Sequence, residues 1–121
     1  MAIDTNKIKT NFFSFDGRIG KKQYLMSFLI LLAIGFVLGL ILAMLGKIGL
    51  IILLPIRIIL AVASFSIAIR RWHDLGKSGW LSLLFLIPLV NLVVLIYLCV
   101  ADGTAADNKY GPVPSYISPI A

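Results

Sequence analysis

Three long apolar runs dominate the chain, and the charges gather between them. Residues 24–45 carry no charge. At about 1.5 Å per residue, a helix of that length crosses a hydrocarbon core of roughly 30 Å. A second run covers residues 48–69 and is interrupted by Pro55 and Arg57. A third covers residues 80–100, with Pro88 and Asn91 near its middle. The pattern predicts an all-α integral membrane protein with a single domain over residues 1–121. Its expected form is a three-helix transmembrane bundle with spans at about 24–45, 50–69 and 80–100. Residues 1–23 are expected to form an interfacial N-terminal segment, and residues 101–121 an irregular Gly/Pro-rich tail.

Local signals refine this outline. Asn11-Phe12-Phe13-Ser14-Phe15, flanked by lysines, suits the headgroup layer. Asp16-Gly17-Arg18 is a turn signal, and Gly20-Lys21-Lys22 leads into the first run. Gly35, Gly39 and Ala43 have the small-xxx-small spacing that permits close helix approach, although glycine is common in membrane helices anyway. Two descriptions of Arg57 compete. In one, the whole second run spans and the arginine lies near mid-bilayer, where an ionised residue implies function. In the other, which is favoured, residues 47–55 form a turn and an interfacial stretch. The span then starts near Arg57, which snorkels at one end while Arg70 snorkels at the other. Ser78 is the expected N-cap of the third helix. Pro88 is expected to kink that helix and Asn91 to hydrogen-bond across helices. A re-entrant third segment is the lesser alternative, and it would return the tail to the side of the N-terminal segment.

Composition agrees with a membrane protein. Hydrophobic residues make up 60%, charged residues 13%, and mean hydropathy is +1.03. The net charge of +6 comes from 11 Lys+Arg against five acids, all of them Asp. Such a balance suits nucleic acid or an anionic membrane face. Here the basic residues border the apolar runs, so anionic membrane lipids are the expected partner and nucleic acid is not. The single cysteine, Cys99, reads as a packing residue. The first run has no small-residue cleavage pattern after it and reads as a retained anchor. Lys7, Lys9, Arg18, Lys21, Lys22, Arg70, Arg71 and Lys77 would share one face under three spans. The positive-inside rule makes that face cytoplasmic, with the C-terminus periplasmic. On it, Asp16 and Asp74 can each pair with an arginine of the other segment.

Three motifs carry a resemblance. They are Phe15-Asp16-Gly17-Arg18-Ile19-Gly20-Lys21-Lys22-Gln23-Tyr24, then Arg70-Arg71-Trp72-His73-Asp74-Leu75-Gly76-Lys77-Ser78-Gly79-Trp80, and finally Gly103 through Asn108-Lys109-Tyr110-Gly111-Pro112. With these the chain resembles domain-of-unknown-function family 805 (DUF805), small bacterial inner-membrane proteins. In the first motif, Gly20-Lys21 stands where that family usually has an arginine. The resemblance implies a multi-pass helical protein of the bacterial inner membrane and supplies no activity.

The motif chemistry points to binding rather than catalysis. His73 and Asp74 are adjacent, so on a helix they point about 100° apart and make no facial pair. One histidine and scattered aspartates do not supply the three or four ligands of a zinc site. Ser78 lacks an activated-nucleophile context. No enzyme activity, metal or cofactor is expected. Arg70, Arg71 and Lys77 around the start of the third helix, with Arg18, Lys21 and Lys22 nearby and Trp72 and Trp80 at the interface, could hold an anionic headgroup. The plain alternative is topogenic charge with an aromatic belt. Asp16, Gly17, His73, Asp74, Ser78, Gly79, Asn108, Tyr110 and Gly111 are expected to build the motif. The working hypothesis is binding of anionic lipid or a partner protein at this face. The alternatives are a subunit of an oligomeric channel or transporter, with Arg57 and Asn91 along a polar path, and an accessory subunit of a larger membrane complex.

Overall fold

The structure is a computed structural model that describes residues 3–117, 119 and 120. Four α-helices and one 3-10 helix follow each other: α1 (Thr5–Phe12), α2 (Lys21–Ala43), α3 (Lys47–Asp74), the 3-10 helix (Gly79–Leu86) and α4 (Val90–Val100). No strand forms among the described residues.

Helices α2 and α3 make a long antiparallel hairpin. Both are long and apolar enough to cross a membrane. Gly46 turns the chain at φ +68°. Gly49 lets the two helices meet directly behind the turn, because a Cβ there would stand 1.7 Å from the Leu42 carbonyl oxygen. Helix α3 begins at Lys47 and runs unbroken through Pro55. The favoured expectation for this region, a turn and interfacial stretch over 47–55, is therefore corrected. Proline already has a helical φ and removes only one backbone bond, and the apolar residues around it keep the helix going.

The expected third span over 80–100 is also corrected. Pro88 holds Ile87 extended, at φ −95° and ψ 118°, and so stops the 3-10 helix. Leu89 then takes a left-handed φ of +68°, rare for a branched residue, and the chain doubles back into α4. Each arm is about 16 Å long, too short for a roughly 30 Å core. The segment is a hairpin, so two long helices take the place of the expected three, with the short hairpin packed against the first half of α2 and the second half of α3. The tail leaves α4 beside the end of α3: Thr104 N–H donates to the Asp74 carbonyl at 2.8 Å, and Asn108 Nδ2 to that of His73 at 3.0 Å. The tail expected opposite the N-terminal segment instead lies against it, with Lys21 bonded to Asp102 and Arg18 to Thr104.

The buried core lies at this one end. Tyr24, Leu31, Ala63, Ile67, Trp72 and Leu98 pack where α2, α3 and α4 meet. Helix α1 covers the same end. Asp4 caps it, accepting from Asn6 N–H at 2.9 Å, while Asp4 N–H reaches the Ile120 carbonyl.

Candidate functional site

The end of α3 builds the site. Gly76 adopts φ +75°, and its N–H reaches the His73 carbonyl while Lys77 N–H reaches that of Trp72. This is a Schellman stop, and it fixes the last helical turn. That turn carries Arg70, Arg71, His73 and Asp74.

Asp74 sits between two arginines. Arg18 Nε donates to Oδ1 at 2.9 Å, and Arg71 Nη1 donates to Oδ2. The three side chains are 2%, 0% and 6% exposed for Arg18, Arg71 and Asp74. Buried charges require this degree of pairing. The remaining guanidinium donors go to backbone carbonyls. Arg71 Nε donates to Leu98 at 2.8 Å and Nη2 to Ala101, so the arginine satisfies carbonyls left over at the end of α4 and sits at its negative pole. Arg18 donates to Thr104 at 2.6 Å, Ala106 at 3.0 Å and Gly111 at 3.3 Å. Gly103 is the only residue type that fits beside the aspartate, since a Cβ there would stand 2.0 Å from Asp74 Oδ2.

A second layer locks the tail on top. The His73 ring stacks on Tyr110, with centroids 3.9 Å apart and planes at 4°. His73 Nδ1 lies 2.9 Å from the Gly17 carbonyl. Asn108 Oδ1 accepts from Tyr110 N–H, and Asn108 pairs with Gly111 in a one-bridge turn. Lys21 bonds Asp102 at 2.7 Å, and this contact holds the Asp102 carboxyl below the ordinary carboxylate range.

Arg70 differs from its neighbours. It is 5% exposed, yet its buried Nε has no partner, and the guanidinium's only hydrogen bond among the described residues is a long 3.5 Å one to Ser66 Oγ. The side chain lines a cavity of about 620 Å³ between α1, residues 17–19 and the tail. Lys7 and Arg18 also line it, as do the amides of Asn11 and Gln23, and no Asp or Glu does among the described residues. Those amides form a chain: Asn11 donates to Ser27 at 2.9 Å, Gln23 to Asn11 at 2.7 Å, and Ile117 N–H to Gln23 at 3.2 Å.

The expected residues therefore divide. Arg18 and Arg71 are consumed by protein contacts, and Arg70 faces a cavity instead of the start of the 3-10 helix. Lys22 lies over the Tyr116 ring at 4.4 Å. Lys77 is exposed, and Trp80 is 80% exposed. Trp72 is not at the interface: it is buried against Tyr97, 5.8 Å between ring centroids. Asp74 finds the expected arginine, whereas Asp16 is exposed and makes no ion pair among the described residues. Ser78 caps the 3-10 helix through Trp80 N–H, and Gly79 packs against Ile69, where a Cβ would stand 2.6 Å away. The Asn91 side chain makes no cross-helix bond among the described residues. Sequence reasoning overlooked Asn11, Gln23, Ser27 and Thr104; the polar face of Asn11, Gln23 and Ser27 beside an uncharged run was the available signal.

The convergence of three distant motifs on Asp74 can be set against known proteins. The profile of a family described as a protein of unknown function (DUF805) matches residues 12–112, from the end of α1 to the last motif. The chain belongs to the DUF805 family. Two relatives from Escherichia coli (strain K12) are similar along nearly their whole length. Inner membrane protein YhaH is 38% identical over 121 residues, covering 89% of this chain and 93% of the relative. Inner membrane protein YhaI is 35% identical over 112 residues, covering 88% and 90%. No solved structure matches. The DUF805 relatives are inner membrane proteins, and this DUF805 chain has two helices fit to cross a membrane.

Proposed function

We propose that this chain is an inner-membrane binding protein whose cytoplasmic cap holds an anionic, phosphate-bearing ligand beside Arg70. Helices α2 and α3 anchor it, and residues 80–100 dip into the membrane and return. The observation that carries this reading is Arg70: a buried guanidinium with an unpartnered Nε, on a cavity lined by no Asp or Glu among the described residues. A buried charged donor without a partner is costly, and a phosphate oxygen is a strong acceptor for it. Asn11 and Gln23 can meet the uncharged polar part of a headgroup, and Ile19, Val113 and Ile117 its apolar part. The stacked, hydrogen-bonded His73 ring supports a structural role for the histidine, and binding without turnover. The basic residues of α1, the 17–22 segment and the end of α3 favour a cytoplasmic cap, which brings both termini to that side.

Native mass spectrometry tests the ligand. Purified protein is expected to retain phosphatidylglycerol or to bind inorganic phosphate, and Arg70→Met to lose that species while Lys77→Ala keeps it. Retention of the lipid alone identifies a headgroup site, and saturation by phosphate alone a soluble ligand. Equal retention by Arg70→Met and the unaltered protein would sink the reading. Paired reporter fusions after the tail test the orientation, which a reporter active only in the periplasm would overturn.

A further inference from the structure

The half of the molecule farthest from the cap holds two cations and no acid. Lys47 opens α3, Arg57 lies ten residues further along, and the sequence has no Asp or Glu between Asp16 and Asp74. Arg57 turns toward α2, where Nη2 donates to the Gly35 carbonyl at 3.2 Å. A Cβ on Gly35 would stand 2.9 Å from Nη1, and one on Gly39 2.9 Å from Nη2. The two glycines therefore leave a seat for a guanidinium. Their spacing serves a side chain here, not close approach of two backbones.

Helical side chains lean toward the helix N-terminus, so Arg57 reaches toward the Lys47 end. Its guanidinium lies near the level of Gly39, about 6 Å short of the end of α2 at Ala43. The arginine thus sits inside a complete helix, not at the start of a shorter one. One carbonyl bond leaves the charge itself unmatched, and a counter-charge would offset the cost of an ionised residue at that depth. This chain has none there, and a second copy inserted the same way round brings none. Beside Arg57 a groove of about 400 Å³ runs between α2 and α3, walled by Phe28, Leu31, Phe36 and Leu60. Through Phe28, Ala61 and Ser64 it shares its wall with a second cavity of about 300 Å³. A guanidinium at one end of an apolar furrow complements a phosphate ester that carries an acyl chain.

We propose that Arg57, seated on Gly35 and Gly39, binds the phosphate of a phospholipid from the leaflet at the Lys47 end, with one acyl chain in the α2–α3 groove. This site is separate from the cap cavity. Phosphatidylglycerol is titrated into detergent-purified protein, and bound lipids are counted by native mass spectrometry. Arg57→Met keeps the helix and most of the volume. It is expected to bind one phosphatidylglycerol fewer, with about tenfold weaker apparent affinity for that lipid, the equivalent of one lost charge-assisted contact. Arg70→Met is expected to leave this lipid in place, so the two sites stand or fall separately. As a second measurement, phosphatidylglycerol raises the melting temperature of the unaltered protein more than that of Arg57→Met. Equal lipid counts and equal lipid-induced shifts would overturn the proposal. So would a dimer or partner complex that disappears in Arg57→Met, because the occupant would then be protein.

Discussion

The two ends of the α2–α3 hairpin follow opposite rules. At the cap end, burial is made by the protein itself: α1, α4 and the tail close over Arg18, Arg71 and Asp74, and their donors are matched to oxygens. At the other end, Leu40, Met44, Ile48 and Ile51 are more than half exposed, and the surroundings have to provide the apolar contact. Where the chain makes its own interior it can bury three charges, because geometry supplies partners. Where lipid is the interior, the one mid-helix arginine needs a seat carved from two glycines. Polar groups are tolerated according to who controls their partners.

The strongest way to break this contrast is Asp74→Ala. It strands Arg18 and Arg71 as buried cations, and loss of one partner from such a cluster costs about 3–5 kcal/mol. Expected outcomes are a large drop in melting temperature in detergent and proteolysis of the tail. Gly103→Ala comes next. Its methyl group would overlap the Asp74 carboxylate, and overpacking of this kind costs about 1–3 kcal/mol by denaturant titration. Tyr110→Ala removes the His73 stack, for which aromatic pairs suggest about 0.5–1.5 kcal/mol, read as earlier hydrogen exchange at residues 104–111. Ile51→Ala, 66% exposed at the opposite end, should stay within about 0.5 kcal/mol of the unaltered protein. If it matched Gly103→Ala instead, the two ends would not differ as described.

Helix α2 was legible in the sequence because a charge-free run of that length has few other uses; α3 was legible only in part, since Pro55 and Arg57 made its first turns read as a turn and interfacial stretch. The Arg18–Asp74 pair was legible too, since two motifs on one face each offered a charge of opposite sign. Residues 80–100 were not. An uncharged run looks the same whether it crosses or doubles back, and the reversal depends on Leu89 taking a backbone conformation that leucine does not advertise. The roles of the arginines were hidden for a similar reason. Arg18, Arg70 and Arg71 form one basic cluster on paper, but the direction of each side chain decides which carry the fold and which one faces a cavity. Arg57 was legible as an anomaly, and the glycines opposite it only as a separate pattern.

The bonds from Arg71 to Leu98 and Ala101, and from Arg18 to Gly111, also set an order of manufacture. Synthesis runs from the N-terminus, so α2 and α3 can be threaded into the bilayer before the residues that close the cap exist. Until those residues leave the ribosome, Arg71 has only Asp74 to neutralise it, and the polar lid stands open. The final segment therefore works as a latch: a chain interrupted before Gly103 would be inserted yet unfastened, and recognisable as unfinished to any protease that samples the cap.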